Sequence, residues 1–501
     1  MTAIVRDTGG EGGQVDLPTS LHCAKAQLDH LELGCAALVC ALMSVGLNYL
    51  LGRDLNWDYF NYHAYAAQLM VQDRLAQDFF AAGYQGYMNP LPFLPFALMN
   101  QAGWSALQIG SGLALIQSLD AFFVYLIARE FTSQSPAPRL SAAVVAFLGC
   151  ATAIYASQLG SSFVDASTAV PVMAGLWLIC RRQTVPNFCA AAALAGAAVA
   201  LKLTNVPFAA ATLLATAFCV EVRSTAGRAK ALIQASAAMG IGFLLLYAWW
   251  GWKLQHLFGS PVFPLFNQIF RAPDFPAESM RLDRFVPQSL GALLSLPMRM
   301  AEQSSWIYTE VVAPDIRPAV LILLLLGVVL LRLRRSLPVF GALAPEPRLR
   351  VVGTYFLSAL ALWFATSANG RYALPLLFLL GPFCYVAATR LLGARVGLAA
   401  CAIVVILQTA HAAIPGNPRW NPHPWSAEWL PASIPSVLRD KPALFVVVGL
   451  SSESYLAGYM NPQSSFINPI GLLSLRTNGP GWDRFEALRA RYAGDTWVVF
   501  P

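Results

Sequence analysis

A carboxylate lies among aromatic and amide side chains directly after the first long apolar run. The segment from Gly52 to Tyr65 reads GRDLNWDYFNYHAY. Helix positions i, i+3, i+4 and i+7 share one face, and that spacing is met by Asp58, Asn61, Tyr62 and Tyr65. Such a face could present a carboxylate among groups that stack on a sugar and hydrogen-bond to it. The same pattern also fits an amphipathic helix lying at a membrane surface.

A second acid and two bases occur at comparable places, each beside an apolar run. Asp165 lies in SSFVDAST, Lys202 in LKLTNVP and Arg371 in NGRYALP. Taken singly, each residue has a plain interpretation. Asp165 could be a charge favoured at a helix N-terminus, Lys202 a snorkelling amine, and Arg371 an anchor at the membrane interface.

Taken together, two acids and two bases suggest chemistry on an anionic substrate at a membrane surface. Ionisable groups at membrane depth are costly and are candidates for function. Cations could hold a phosphate, and a carboxylate could take the proton of an attacking hydroxyl. We therefore take Asp58 and Asp165 as candidate catalytic residues. The candidate substrate-binding residues are Lys202, Arg371, Tyr372, Tyr62, His63, Asn61 and Asn89, the last in the turn-rich segment GYQGYMNPLP.

The composition indicates an integral membrane protein. Hydrophobic residues make up 57% of the 501 positions, charged residues make up 12%, and the mean hydropathy is +0.54. A soluble protein carries roughly 25% charged residues, so lipid must face much of this chain. The net charge of +7 is explained by basic residues retained in cytoplasmic loops. We accordingly expect a lipid bilayer as partner and no nucleic acid.

Apolar runs long enough to span a bilayer occur eleven times. They lie near residues 34–51, 106–130, 140–157, 165–180, 188–203, 206–221, 232–250, 318–333, 351–368, 372–390 and 396–412. With the N-terminus inside, the arginine-rich connections are cytoplasmic, as the positive-inside rule requires. The long loops 52–105 and 251–317 are then outside. This topology needs a break between two helices at residues 201–207, because a single helix over 188–221 would move every later loop to the opposite side.

Three regions follow from this pattern. Residues 1–33 are expected to form a disordered cytoplasmic tail, 34–412 a helical membrane domain, and 413–501 a small α/β domain on the outer side. In the last region we predict strands near 443–449 and 496–500 and helices near 451–460 and 482–492. Three tryptophans near the start of this region are typical of an aromatic belt at the interface; they are Trp420, Trp425 and Trp429.

The arrangement resembles the GT-C superfamily over roughly residues 34–412. The resemblance rests on a first span with its N-terminus inside, an acid in the long first outer loop, a second acid at the next outer loop, and the motif Arg371-Tyr372-x-x-Pro375 before a late span. GT-C enzymes are polytopic glycosyltransferases that use polyprenyl-phosphate sugars, among them protein mannosyltransferases and the aminoarabinose transferase of lipid A.

This resemblance implies an inverting transfer of a sugar to a hydroxyl of a glycan, lipid or protein, on the periplasmic face of a bacterial inner membrane. It implies that Asp58 is the base toward the acceptor and Asp165 the second acid, with Lys202 and Arg371 holding the lipid phosphate. Some branches carry an adjacent pair of acids in the first loop, whereas Tyr59 follows Asp58 here. We therefore expect no metal and no other cofactor.

Several alternatives stay open at this point. Asp54 and Asp78 are rival candidates for the first acid. A flippase or transporter for lipid-linked saccharides would need ionisable groups within the spans, and Asp120 stands in one. An O-antigen ligase or polymerase would instead use arginines of the second outer loop; these are Arg271, Arg281, Arg284 and Arg299.

Overall fold

The computed structural model describes residues 19–277, 283–334, 346–469, 475 and 477–500, with side chains from residue 29 onward. Arg281, most of the predicted cytoplasmic tail and part of the connection 332–350 lie outside the described residues. The described chain is mostly helical. Its α-helices are α1 Thr19–Leu51, α2 Ala64–Val71, α3 Leu94–Gln101, α4 Ala106–Thr132, α5 Pro138–Cys150, α6 Ala153–Gln158, α7 Asp165–Arg181, α8 Val185–Leu201, α9 Val206–Cys219, α10 Thr225–Phe258, α11 Asn267–Phe270, α12 Leu290–Arg299, α13 Arg317–Arg334, α14 Pro347–Thr366, α15 Leu374–Leu392, α16 Ala394–Ala413, α17 Ser436–Arg439 and α18 Trp482–Arg491.

Six helical segments of the described chain are long and apolar enough to cross a membrane. They cover Asp29–Leu51, Ala106–Thr132, Thr225–Phe258, Pro347–Thr366, Gly370–Leu392 and Ala394–Ala413. In α16 only 17% of the most apolar window is buried inside the protein. Apolar side chains left uncovered along a helix need lipid around them. The chain is therefore a helical membrane protein.

A helix lies in every one of the eleven predicted apolar runs, although several helices are too short to count among the six. The number of spans stays a prediction. The run at 140–157 was expected to be one helix but forms two, α5 and α6. Arg317 ends α5 by donating from Nη1 to the carbonyl oxygens of Leu148 and Gly149, at 2.7 and 2.6 Å. Thr152 then caps α6 through a bond from the Ile154 N–H to its side chain.

The predicted break between residues 201 and 207 is present. Helix α8 ends at Leu201, and Lys202 has extended backbone angles, with φ −151° and ψ 118°. A single 3₁₀ turn over Leu203–Asn205 leads into α9, whose second residue is Pro207. Because proline lacks an N–H, it suits the first turn of a helix but disrupts a helix interior. The Ala-rich stretch therefore forms two helices.

The C-terminal region contains a small parallel sheet. Its strands are β3 Leu444–Val447, β4 Ser465–Ile467 and β5 Thr496–Val499, in the order β4–β3–β5. Strand β4 was not predicted, and the expected helix at 451–460 is only a 3₁₀ segment over Ser454–Gly458. Two further short strands, β1 Arg53–Asp54 and β2 Pro422–His423, pair antiparallel and attach the C-terminal region to the first loop.

The buried residues of this sheet do not form a separate core. Phe445 and Phe466 belong to one hydrophobic cluster with Phe79 and Phe80 of the first loop and with Trp250 of α10. Phe79 also forms a parallel bridge to Ile467 at the edge of the sheet. The C-terminal region therefore packs as a continuation of the first loop, directly beside the residues singled out above.

Candidate functional site

Asp58 lies just after β1, where the chain begins a wide π-helical turn over Tyr59–His63. Its side chain is buried, with 5% of the residue exposed. The Oδ2 atom accepts two hydrogen bonds, from the Tyr62 hydroxyl at 3.0 Å and from Nη1 of Arg371 at 2.7 Å. Within the described residues no hydrogen bond reaches Oδ1, which leaves that oxygen available to a ligand.

The charge of Asp58 is set by two opposing effects. Burial raises the pKa of a carboxyl group, but the Arg371 guanidinium and the hydrogen bonds on Oδ2 outweigh it. The pKa of Asp58 therefore lies below its usual value. At neutral pH Asp58 is a carboxylate held in a fixed orientation.

The side chain of Arg371 packs among aromatic rings. It lies on a 3₁₀ turn over Gly370–Ala373, immediately before α15, and its backbone N–H donates to the side chain of Asn369 at 3.0 Å. Its guanidinium carbon lies 4.9 Å from the ring centroid of Trp420 and 5.0 Å from that of Phe163. Such stacking fixes the plane of a guanidinium group. Among the described residues its Nε–H has no hydrogen-bond partner.

Asp165 and Lys202 form the second acid–cation pair. Asp165 is the first residue of α7, and its Oδ1 binds the ammonium group of Lys202 at the break between α8 and α9. Burial lowers the pKa of Lys202, while the charge of Asp165 opposes that shift. Oδ2 of Asp165 is buried and lacks a hydrogen-bond partner within the described chain. This pair thus offers an unused acceptor beside a cation.

Tyr372 connects the two pairs. Its ring centroid lies 5.1 Å from Nζ of Lys202 and 5.6 Å from the guanidinium carbon of Arg371. The structure therefore brings Asp58, Asp165, Lys202 and Arg371 together at one end of the helix bundle. They come from four segments far apart in sequence.

His63 lies beside this cluster, with its ring packed against Tyr62. Its Nδ1 lies 2.8 Å from Oγ of Ser162, and Asn56 donates to the same oxygen at 3.2 Å. Because Ser162 receives the Asn56 bond, its own proton can point to Nδ1. Burial lowers the pKa of His63 to about 3. The imidazole is thus neutral, and a hydrogen bond joins it to Ser162.

Two of the predicted substrate-binding residues are used for packing instead. The side chain of Asn61 accepts the backbone N–H of Ser452 at 2.6 Å, on the side of the C-terminal region. Asn89 donates to the carbonyl oxygens of Ala200 and Leu246, at 2.8 and 3.1 Å. Neither amide is grouped with the two acid–cation pairs.

The proposed common face of the first-loop helix is also absent. Tyr62 reaches Asp58, but Tyr65 turns to Asp78 and donates to its Oδ2 at 2.9 Å. The π-helical turn explains the difference. It pairs residues i and i+5 and so changes the angular spacing between side chains from that of an ideal α-helix.

The rival acids have structural partners. Asp54 accepts the Asn421 N–H at 2.9 Å and thereby holds the paired strands β1 and β2. Asp78 receives Arg74 at 2.9 and 3.0 Å and the N–H of Phe466 at 2.9 Å. Burial raises the pKa of both acids. Both fasten the first loop to the C-terminal region, whereas Asp58, of these three first-loop acids, pairs with Arg371.

Three contributors were not identified from the sequence. Glu310 lies on the loop before α13, with Oε2 3.6 Å from Nε of Arg371. Trp420 was interpreted as part of an aromatic belt but stacks on Arg371, and the Phe163 ring lies beside both, 5.2 Å from the ring of Trp420. The pattern around Glu310 carries no signal that distinguishes it from other loop acids.

A small cavity lies next to the cluster, but none of the four charged residues borders it. This cavity of about 30 Å³ is lined by Ser161, Ser162, Phe163 and Ser167 together with apolar side chains. That volume holds water but no sugar. Among the described residues, no group of three or more His, Cys, Asp or Glu side chains could hold a metal ion.

Comparison with protein-family models, with curated proteins and with solved structures finds no match for this chain. The geometry of the site alone therefore carries the functional argument.

Proposed function

We propose that this protein is a membrane glycosyltransferase of the GT-C type that moves a sugar from a polyprenyl-phosphate donor to an acceptor hydroxyl. The observation that carries the proposal is the junction of two acid–cation pairs around Tyr372. A lipid-linked phosphate sugar presents an anion and hydroxyl groups side by side. The junction offers a complementary set of cations and carboxylate oxygens.

The mechanism assigns tasks to Asp58, Arg371 and Lys202. The acceptor hydroxyl donates to Oδ1 of Asp58 and attacks the anomeric carbon, with inversion. The bond from that carbon to the phosphate oxygen breaks, and its electron pair leaves with the polyprenyl phosphate. The hydroxyl proton passes to Asp58, and Arg371 and Lys202 stabilise the charge that develops on the phosphate.

The low pKa of Asp58 is compatible with this role. A carboxylate is a weak base toward a neutral alcohol, but the hydroxyl becomes acidic as its oxygen bonds to carbon. Asp58 therefore acts first by orienting the nucleophile and accepts the proton late. Phosphate is a good leaving group, so no second acid is needed to protonate it.

The topology that belongs to this proposal has eleven spans, a cytoplasmic N-terminus and the C-terminal region outside, in a bacterial inner membrane. The two acid–cation pairs then face the periplasm, where the acceptor would be a glycan, a lipid or a protein. The C-terminal region, which packs against the first loop, would lie beside the acceptor.

The other two functions find less support in the described residues. A transporter would use Asp120, whose carboxylate is buried in α4 without a hydrogen-bond partner among the described residues, but a single acid makes no pathway. For a ligase, Arg284 alone among the second-loop arginines that the structure describes is paired with a residue of the site, through Glu310 at 3.8 Å.

The test is transfer by purified protein in nanodiscs supplied with a panel of radiolabelled polyprenyl-phosphate sugars. Asp58→Asn should lower transfer at least about a hundredfold, the effect of losing a positioned base. Asp73→Asn is the matched control, since Asp73 is an exposed acid of the same loop, paired with Lys253. Full activity of Asp58→Asn, or no polyprenyl phosphate released from any donor by the wild type, would refute the proposal.

A further inference from the structure

The site contains a third carboxylate for which the mechanism has no task. Glu310 is nearly buried, with 11% of its side chain exposed, and its Oε1 accepts a hydrogen bond from Asn369 at 2.9 Å. Two guanidinium groups flank it. Nε of Arg371 lies 3.6 Å from Oε2, and Nη1 of Arg284 lies 3.8 Å from Oε1.

Both of these ion pairs are loose. Nε of Arg371 has no hydrogen-bond partner among the described residues, although a carboxylate oxygen stands nearby. By contrast, Nη1 of the same guanidinium bonds to Asp58 at 2.7 Å. The negative charge of Glu310 thus compensates the positive charge of Arg371, but the Glu310 carboxylate does not accept a hydrogen bond from the Nε–H group.

The charges of the site balance before any substrate enters. The acids are Asp58, Asp165 and Glu310, and the cations are Arg371, Lys202 and Arg284. A phosphate would add negative charge to a buried place, where repulsion between like charges is strong. One carboxylate must therefore give way when a phosphate binds.

Glu310 is the acid placed to do so. Asp58 and Asp165 each have a close charged partner, whereas both arginine contacts of Glu310 are long. It also lies on the irregular segment between α12 and α13. We propose, on the basis of the function above, that Glu310 is a place-holding anion which the phosphate of the donor displaces from Arg371 and Arg284.

In this scheme the donor phosphate enters the site by displacing Glu310. An empty site keeps its cations neutralised by Glu310. A phosphate oxygen then replaces the carboxylate and can bond to Nε of Arg371 at full strength. The same reasoning adds Arg284 as a third phosphate-binding cation, beside Arg371 and Lys202.

The experiment measures binding of farnesyl phosphate, a short polyprenyl phosphate, to the full chain in detergent by calorimetry. Glu310→Gln removes the competing charge and keeps an oxygen that can accept from Asn369, so we expect affinity to rise on the order of tenfold. Glu310→Asp keeps the charge and should bind as the wild type does. Glu302→Gln is the matched control, since Glu302 is an exposed acid of the same loop, and farnesol tests whether the effect needs the phosphate.

The outcomes separate the two proposals. Unchanged or weaker binding by Glu310→Gln overturns the place-holder, even if wild-type transfer activity is present. Equal losses in Glu310→Gln and Glu310→Asp would indicate a purely structural residue and also overturn it. Absence of farnesyl phosphate binding by the wild type would overturn both the place-holder and the transferase.

Discussion

Nη1 of Arg371 donates to Oδ2 of Asp58 over 2.7 Å, although 313 positions separate the two residues. The pair joins the first loop to the turn before α15, and both side chains are buried. A buried ion pair has a structural consequence as well as a chemical one. Removing one partner leaves the other charge uncompensated.

The first prediction concerns this pair and stability. Arg371→Gln should lower the free energy of unfolding by about 3–5 kcal/mol, because Asp58 loses its cation. The double variant Asp58→Asn/Arg371→Gln should recover a large part of that loss while remaining inactive. Thermal unfolding in detergent compares the variants, and a double variant less stable than Arg371→Gln would contradict the pairing.

A second prediction concerns Lys202. Lys202→Met removes one of the cations assigned to the phosphate and leaves Asp165 without a partner, so we expect the KM for the donor to rise about tenfold or more. Lys202→Arg should retain part of the affinity, since it keeps the charge but not the shape of the ammonium group. The measurement is initial rate against donor concentration.

The control for that series is Lys253→Met, at a partly exposed lysine that pairs with Asp73 and is not part of the cluster. Its KM should match the wild type. If Lys202→Met lowered kcat with no change in KM, the lysine would have another task than holding the donor.

The third prediction uses the depressed pKa of His63. Its pKa is about 3 in the folded protein, against 6.5 for an ordinary histidine. As the pH falls below 6.5 the unfolded chain takes up the proton first, so stability is greatest above pH 6.5 and falls towards pH 3. The slope is roughly 1 kcal/mol for each pH unit.

His63→Gln should remove that slope. The melting temperature of the wild type is followed between pH 7 and 5, a range above the ordinary titration of carboxyl groups. The variant should be less sensitive to pH over this range, because glutamine does not titrate. Parallel pH profiles for the two proteins would show that His63 is not the titrating group.

The sequence allowed the cluster to be predicted because the order of the helices indicates which helix ends lie at the same end of the bundle. Asp165 and Lys202 meet because α7 begins and α8 ends on the same side. The break at Lys202 could be predicted as well, because Pro207 follows it closely. These inferences depend on the order of helices and on backbone chemistry, not on details of packing.

The positions of the other site residues depend on packing, which no local sequence pattern encodes. Asn61 was assigned to the face of Asp58 on an ideal helical spacing, and a π-helical turn changed that spacing. Trp420 was assigned to a lipid interface, yet the chain after α16 returns across the first loop and stacks it on Arg371. Glu310 reaches the site through an irregular loop, for which sequence offers no periodicity to interpret.

A fourth prediction follows from the stacking of Trp420 on Arg371. Trp420→Ala should lower transfer about tenfold, the scale of one lost cation–π contact in a buried place, because the guanidinium plane is no longer fixed. Trp420→Phe should retain more activity, since it keeps an aromatic face. Trp104→Ala, at an exposed tryptophan, is the control, and equal activity of Trp420→Ala and Trp104→Ala would count against this role.

The last prediction concerns Arg317, which is not one of the residues assigned to the proposed chemistry. It forms an ion pair with Asp315 in which both side chains are fully buried, and it also binds the final carbonyl groups of α5. Arg317→Met should therefore destabilise the protein by about 3–5 kcal/mol, because Asp315 and two carbonyl oxygens lose their partner together. Arg299→Met, in an exposed pair with Glu302, should leave the melting temperature nearly unchanged. If Arg317→Met melted like Arg299→Met, the break between α5 and α6 would not depend on this arginine.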